Sequence, residues 1–572
     1  MSWLTRYAAA IFHLGPRQAG LNLVHRALRH SRRFGRYADR TGDLTWIGRP
    51  ATPFLPHGGG AHLDGRRFTA IGRTFDVGDP PDWERDAPLL WLFNLHYFAF
   101  LRELPPPEQT RLVLDWIDRH PPGTRRPGWL PYPLSLRLRH WAQWLFAAGE
   151  LRPSDRKRIL ASIEGQGECL ADTLEHHLRG NHLLESGLTL CFLAACFEGP
   201  RVERWRRLGR GVLERELPEQ FLPDGGHFER SPMYHALLTR GLLDLANVLP
   251  EPDPLRSVVM ERLPALLEFL AAMRHPDGEI ALFNDAAFGI AAPPADLLDY
   301  GSRLGLGTAP FPAGSFAATG YHVWRDGRDS LFVDTGPIGP DYLSVHGHGD
   351  MFSYELSLGG RRVVVDGGTS TYEAGPERDW VRSTRAHNTV EIAGQDQCEF
   401  FAAFRVGRRG RPRDVTANAS AGGLHVAGWH DSYRRLRGRP VHHREIEITA
   451  PRTLLVWDTV ESGVAHLAVS RVRFAPGVRV RVESPQQASI EIDGMELVLR
   501  AFGGELTLES DWYAPRFAER LPCAVLALRK GPASELGYAL APRGVTVAID
   551  AAGADVAGGR LTRRARRGGG DA

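Results

Sequence analysis

The stretch Met351-Phe-Ser-Tyr-Glu-Leu-Ser-Leu-Gly-Gly-Arg-Arg-Val-Val-Val-Asp366 decides how the second half of the chain folds. Apolar and polar residues alternate before Gly359-Gly360, and β-branched residues fill the arm after it. That pattern specifies two short antiparallel strands joined by a tight turn. In such a hairpin Asp366 returns to about the level of Ser353, close to the residues that lead into the first strand. Those residues are His346-Gly-His348.

The same pattern runs from about residue 320 onward, in SLFVDTG (330–336), NTVEIAG (388–394), REIEITA (444–450), TLLVWDTV (453–460) and MELVLRA (495–501). Many short strands in succession, with no helices between them, predict an antiparallel β-sandwich over residues 311–558. Near residue 310 the period changes. Across 84–310 apolar residues recur at helical spacing, as in RLVLDWIDRH (111–120), LSLRLRHWAQWLFAAG (134–149), HLLESGLTLCFLAACF (182–197) and HALLTRGLLDLANVL (235–249). Pro153-Ser-Asp155 and Ser231-Pro232 are helix-start signals. No strict repeat length appears, which helix pairs stacked around a ring do not require. Residues 1–83 read as an extension with one Arg-rich helix at about 17–34 and a loop-rich stretch through Gly58-Gly59-Gly60. Residues 559–572, poor in apolar residues, read as a disordered basic tail. The fold class is α+β and multidomain: helices first, then sheets.

Composition narrows the function. With 43% hydrophobic and 24% charged residues, 62 Gly and 41 Pro, the chain is neither collagen-like nor disordered. Seventy basic against 67 acidic residues leave a net charge of +3, too balanced to argue for a nucleic-acid partner. Lys157 and Lys530 are the only lysines, so arginine abundance reads first as base-composition bias. The five cysteines form no CxxC pair, which argues against a disulfide framework or a cysteine zinc site. No run approaches the ~20 apolar residues of a membrane span. No signal-peptidase site is read near the N-terminus, so a cytoplasmic location is expected, with periplasmic location or export by another route as the alternative. Oligomeric state leaves no mark in the sequence.

Four islands carry polar residues that packing alone does not require. The first, Trp91-Leu-Phe-Asn-Leu-His-Tyr97, is joined by Trp129-Leu-Pro-Tyr-Pro-Leu-Ser-Leu-Arg137. Asn94, His96, Tyr97, Trp129, Tyr132 and Arg137 mix aromatic faces with amide and guanidinium donors, which suits sugar rings, and they suit core packing equally well. The second is Arg179-Gly-Asn-His-Leu-Leu-Glu185. Asn181 is a candidate N-cap, and the i, i+3 spacing of His182 and Glu185 lets the carboxylate orient the imidazole. The third, Asp224-Gly-Gly-His-Phe-Glu-Arg-Ser-Pro-Met-Tyr-His235, feeds Arg230, Tyr234 and His235 from a glycine turn into a helix. A buried phenol near cations can act as acid or base, whereas most single tyrosines are core residues. The fourth is His346-Gly-His348 with Asp366 and His387-Asn388. His348, Asp366 and His387 converge from sheet edges as a set that fits zinc, while His-x-His alone is common without metal. His346 would lie on the same side and stay free for chemistry.

Taken together, in this order and spacing, the islands resemble the heparinase II/III-type polysaccharide lyases. The resemblance rests on Asn-His-Leu-x-x-Glu, Ser-Pro-Met-Tyr and the series His-x-His, Asp, His-Asn, and covers residues 85–400 best. It implies an incomplete (α/α) toroid followed by an antiparallel β-sandwich, which agrees with the period change. It also implies β-elimination at a 4-linked uronic acid within an acidic polysaccharide, a bacterial capsular or exopolysaccharide glycan. Asn181 and His182 would neutralise the sugar carboxylate, with Glu185 supporting His182. Tyr234 would act as base, acid or both, and His346 as the second proton-transfer group. His348, Asp366 and His387 would hold a structural Zn²⁺. The segment Asp366-Gly-Gly-Thr-Ser-Thr-Tyr372 departs from the relatives' pattern and offers Tyr372 as a substrate contact. Two alternatives stand beside the lyase: a uronyl C5-epimerase on the same scaffold, and a non-catalytic glycan-binding or assembly protein.

Overall fold

Proline marks the start of most helices in the first half of the chain, because its missing N–H falls where a helix has no internal acceptor for it. The structure is a computed structural model and describes residues 37, 42–56, 60–122, 127–307, 314–420, 422–531 and 535–563. Among the described residues nine helices precede the sandwich: α1 (Leu89–Tyr97), α2 (Pro106–Arg119), α3 (Pro131–Ala147), α4 (Pro153–Asp172), α5 (Gly180–Cys196), α6 (Val202–Gln220), α7 (Pro232–Val248), α8 (Pro254–Ala272) and α9 (Pro294–Arg303). Proline occupies the first turn of α2, α3, α4, α7, α8 and α9. Ser231 caps α7 by accepting from the Tyr234 N–H at 3.3 Å. Sequential helices pack on one another, with α5 against α3, α4, α6 and α7. Apolar on nearly every face, α5 is buried almost throughout, as a helix enclosed by neighbours must be.

After residue 313 the chain is mainly β. A five-stranded antiparallel sheet runs in the order Arg361–Val364, Tyr354–Leu358, Asp329–Asp334, Tyr321–Asp326, Gly314–Phe316. An eight-stranded sheet and a four-stranded sheet follow, and one short helix, α10 (Pro376–Arg382), interrupts them. The decisive hairpin forms as its sequence predicts. Gly359 and Gly360 both take left-handed φ (59° and 86°), the two-residue turn that matches strand twist. Asp366 does return to Ser353, whose Oγ donates to its carboxylate at 3.4 Å.

Two expectations are corrected. The region before α1 holds a three-stranded antiparallel sheet (His62–Asp64, Arg67–Ala70, Arg73–Asp76). Phe68 and Phe75 anchor it with their rings edge-on to Trp91. The region expected to be a disordered tail begins with an ordered strand, Gly559–Thr562, paired antiparallel with Gly553–Val556, because Leu561 packs on the apolar cluster that holds Trp457 and Val556. The Arg-rich stretch 17–34 and residues 564–572 lie outside the described residues.

The segment after α8 joins the two halves. Leu282 N–H donates to Glu355 Oε1 at 2.6 Å, Asp285 N–H to the His346 carbonyl at 3.0 Å, and Phe288 N–H to the Pro515 carbonyl at 2.7 Å. Asn284, held at φ 57°, donates from its amide to the Arg230 carbonyl and accepts from the His348 N–H. The toroid end of α7 and the His346 loop are thereby fixed against each other.

Candidate active site

The four islands meet between the helical half and the β half of the chain: Tyr132 lies against His182, Glu229 against Asn181, and Tyr234 against His346. Tyr234, in the first turn of α7, lies with its ring centroid 4.1 Å from that of His346. Its hydroxyl shares a hydrogen bond with the Tyr372 hydroxyl at 3.1 Å. Burial first, then the neighbouring phenol, pushes the Tyr234 hydroxyl well above its ordinary range, and Tyr372 is likewise raised by burial. Both phenols are therefore protonated at neutral pH.

His346 is oriented by a residue the sequence did not flag. Asp285 Oδ2 accepts from His346 Nδ1 at 2.9 Å. Asp285 is fully buried, yet the Arg378 guanidinium and hydrogen bonds from both histidines outweigh burial and hold it well below the usual carboxylate range. An ionised carboxylate can only accept, so Nδ1 carries the hydrogen and Nε2 is the nitrogen left to exchange a proton. Nε2 faces Glu229 Oε2 at 3.5 Å.

Glu229 also organises Asn181. It accepts from the Asn181 backbone N–H at 2.9 Å and from its amide nitrogen at 2.9 and 3.2 Å. This corrects the capping expectation. The N-cap of α5 is Arg179, at φ 58° and without a side-chain cap, and the Glu229 carboxylate satisfies the first turn from outside, where the helix dipole favours negative charge. Asn181 Oδ1 is buried with no protein hydrogen bond, which marks a group available to a ligand. His182 is 38% exposed, stacks on Tyr132 at 4.4 Å, and pairs through Nδ1 with Glu175 Oε2 at 3.0 Å. Burial opposes its charge, but Glu175 wins and raises its pKa. Glu185, expected to orient His182, instead forms an ion pair with Arg139 at 2.7 Å. Helical spacing alone could not exclude this, since Arg139 approaches from α3.

A cleft of about 140 Å³ opens beside Tyr234. Asn94, Tyr97, Tyr132, Tyr234 and Tyr372 line it, together with Arg139, Glu185, Arg240, Asp244 and Phe517. Asn94 also donates to the Leu90 carbonyl of its own helix. Five expected substrate contacts belong to the interior instead. His96 is fully buried, kept neutral by burial and Arg137, and accepts from Trp116 Nε1 at 3.0 Å. Arg137 is enclosed too, its guanidinium bonded to Gln166 and the His96 and Gly128 carbonyls and lying 3.9 Å over the Trp116 ring. Trp129 packs in the same core. Arg230 donates to the Thr319 and Phe228 carbonyls, bracing the joint between the halves. His235 faces the Leu266 carbonyl at 2.9 Å, and burial lowers it to about 4. Aromatic-rich helices carry these polar groups inward whenever a buried partner exists, and the sequence does not show the partner.

Beneath His346 lies a second cluster. Ligand atoms of His348, Asp350 and His387 all fall within 4.8 Å of one another, and all three residues are buried. Asp366, expected as the carboxylate of this set, instead holds His387 through Nδ1 at 2.9 Å. Asp350, two residues after His348, is the acid within reach, and its place in the sequence between His348 and the hairpin was the available signal. The group fits a cation. His348 Nδ1 and His387 Nε2 are buried without hydrogen-bond partners. Burial, with Asp366 nearby, pushes Asp350 up to about 6 against the opposing His387, and burial with Asp350 pushes Asp334 well above its usual range, a strain a cation relieves.

A helical toroid set against an antiparallel β-sandwich, with polar groups from both meeting at the joint, defines the architectural class. Residues 108–292 match the Heparinase II/III N-terminus and residues 308–546 match the Heparinase II/III-like, C-terminal family. The chain belongs to the heparinase II/III family. Among curated proteins it is similar to a heparin-sulfate lyase of Pedobacter heparinus (25% identical over 373 residues, 56% of this chain and 55% of the relative). It is also similar to one of Bacteroides stercoris (23% over 391 residues, 57% and 58%). The chain thus spans little more than half the length of these relatives. A solved Heparinase III shares the fold at TM-score 0.70 and 17% identity, with 86% of each chain covered. No described helix is long and apolar enough to cross a membrane.

Proposed function

We propose that the protein is a polysaccharide lyase that cleaves a uronic-acid-containing glycan, a bacterial capsular or exopolysaccharide, by β-elimination. The observation that carries this reading is the pairing of Tyr234 with His346 beside Asn181 and His182. On this reading Tyr234 and His346 are the two proton-transfer groups, with the His182 imidazole and the Asn181 amide beside them.

The C5 proton of a uronate is too weakly acidic while the carboxylate keeps its charge. His182, held protonated by Glu175, would offset that charge and stabilise the aci-carboxylate intermediate, while Asn181, whose N–H groups Glu229 occupies, would accept from a sugar hydroxyl through Oδ1. His346 Nε2 takes the C5 proton. The C5–H electrons form the C4=C5 double bond, the C4–O4 bond breaks, and O4 receives the Tyr234 hydroxyl proton. Burial, which keeps Tyr234 protonated, suits it to the acid role in the resting enzyme. Tyr132 and Tyr372 offer aromatic faces to the sugars.

His348 and His387, with Asp350, would hold a Zn²⁺ when it is bound. The ion would neutralise the buried acids and stiffen the loop that carries His346. Asp285 accepts from both His346 and His348, so the two sites share one orienting carboxylate.

The test is ultraviolet absorbance of the unsaturated uronate across uronate polymers, including unsulfated glycuronans, alginate and the glycosaminoglycan that the relatives' names indicate. Cleavage of at least one, abolished by Tyr234→Phe, is expected. Solvent deuterium entering C5 without chain scission would make the protein an epimerase. Binding without turnover, unchanged by Tyr234→Phe, would make it a glycan-binding protein.

A further inference from the structure

The hairpin Arg67–Asp76 crosses from the toroid to the sandwich at one side of the cleft. On the toroid it is rooted in the core: Phe68 is fully buried, its ring edge-on to Trp91 and Phe100, and Trp91 Nε1 donates to the Arg73 carbonyl at 3.0 Å. On the sandwich its tip sits directly on the chain at Phe517. A Cβ at Gly72, φ 69°, would lie 2.3 Å from the Phe517 carbonyl oxygen, so the turn admits only glycine at this approach. Arg73 pairs with Glu373 at 3.6 Å, and the Ala518 N–H donates to the Ser370 carbonyl at 2.9 Å. Both ends are thus tied down, and lifting the hairpin would expose Phe68 and Trp91 to water.

Ile71 at that tip, with Ala61 and Phe517, forms one wall of the cleft. Leu55 is held too: Arg240 and Arg102 donate to its carbonyl at 2.9 and 3.2 Å. The inner wall is charge-balanced, Arg139 against Glu185 at 2.7 Å and Arg240 against Asp244 at 3.2 Å. A polymer cut at an internal linkage must leave the catalytic pair in both directions. On the cleft side of Tyr234, Ala61, Ile71 and Phe517 stand in its path.

We propose that the Ile71–Gly72 strap makes the cleft a blind pocket for the terminal sugars of the polymer, so that the protein cuts from a chain end and releases short unsaturated fragments. The proposal rests on the lyase reading. The balanced wall further suits sugars without sulfate, since each arginine there already has a carboxylate partner.

The experiment uses the full chain and whichever polymer yields the unsaturated product, fractionated by length. A blind pocket predicts short fragments from the first turnovers, with no ladder of intermediate sizes. It also predicts an initial rate that halves when chain length doubles at constant mass concentration below saturation, because the rate follows the number of ends. An early ladder, or a rate independent of length, would overturn the strap proposal and leave the lyase reading standing. Absence of ultraviolet product from every polymer would overturn the lyase reading itself. The double variant Ile71→Ala, Phe517→Ala should shift the first products to longer fragments. An unchanged product pattern in that variant, with native folding by circular dichroism, would count against the strap as the determinant.

Discussion

His346 and His348 hold opposite sides of one carboxylate. Asp285 Oδ2 accepts from His346 Nδ1 at 2.9 Å, and Asp285 Oδ1 faces His348 Nε2 at 3.0 Å, while Arg378 closes the same group bidentately. The His-x-His spacing thereby becomes a division of labour. One ring turns Nε2 toward Tyr234 and Glu229, and the other turns Nδ1 into the acidic cluster. A single buried acid fixes both tautomers, so the proposed proton-transfer histidine and the candidate cation site share one anchor.

Removal of either proton-transfer group tests the assignment directly. Tyr234→Phe and His346→Ala should each lower kcat by ~10²–10⁴-fold, the usual contribution of an acid–base group, with unfolding midpoints close to the parent. Initial rates by ultraviolet absorbance, beside thermal melts, provide the check. Retention of more than a tenth of the parent rate by both variants would remove them from the chemistry.

Asp285→Asn should act on both activity and stability. An amide can present its N–H to His346 Nδ1, favouring the tautomer with the hydrogen on Nε2 and blocking the base. It also leaves the buried Arg378 charge uncompensated, a loss of about 3–5 kcal/mol by analogy with other broken buried pairs. Urea unfolding measures the second effect. A changed pH–rate profile in the remaining folded fraction separates the first from simple destabilisation.

The cation site is tested by metal content. His348→Ala should lower bound zinc and the thermal midpoint together, since binding free energy adds to folding free energy. Asp350→Asn should do the same. Asp366→Asn, acting through His387, should weaken binding by about 10–100-fold, the usual effect of an orienting residue. Elemental analysis of the purified proteins decides, and full zinc in His348→Ala would refute the ligand set.

The Glu175–His182 pair sets a pH dependence. The folded pKa of His182 lies above its unfolded value, so the pair's contribution to stability is complete below about pH 6.5 and is lost as pH rises through the raised value. The imidazolium is also the form that offsets a sugar carboxylate, so kcat/KM should fall over the same alkaline window. Glu175→Gln should move that descending limb to lower pH. An unmoved limb would mean that His182 does not act through its charge.

Arg137→Ala provides a contrast. Every hydrogen bond of this guanidinium is internal, so its loss should cost roughly 3 kcal/mol or more in stability while KM of the folded fraction stays near the parent value. A large rise in KM without destabilisation would return Arg137 to the binding surface.

The sequence by itself determined the order of helices and sheets, the Gly359-Gly360 hairpin that carries Asp366 back to Ser353, and the start of α7 at Ser231-Pro232. These follow from local periods and turn chemistry, which neighbouring residues settle among themselves. It also supplied Tyr234, His346, His348 and His387 as polar islands. Only the tertiary structure decided their partners. Glu175 displaced Glu185 beside His182, Asp350 took the place expected for Asp366, and His96, Arg137, Arg230 and His235 turned inward. Each of those choices depends on a partner distant in the chain, because a buried polar group settles wherever the fold satisfies its hydrogen bonds and charge, and spacing along the sequence does not encode that.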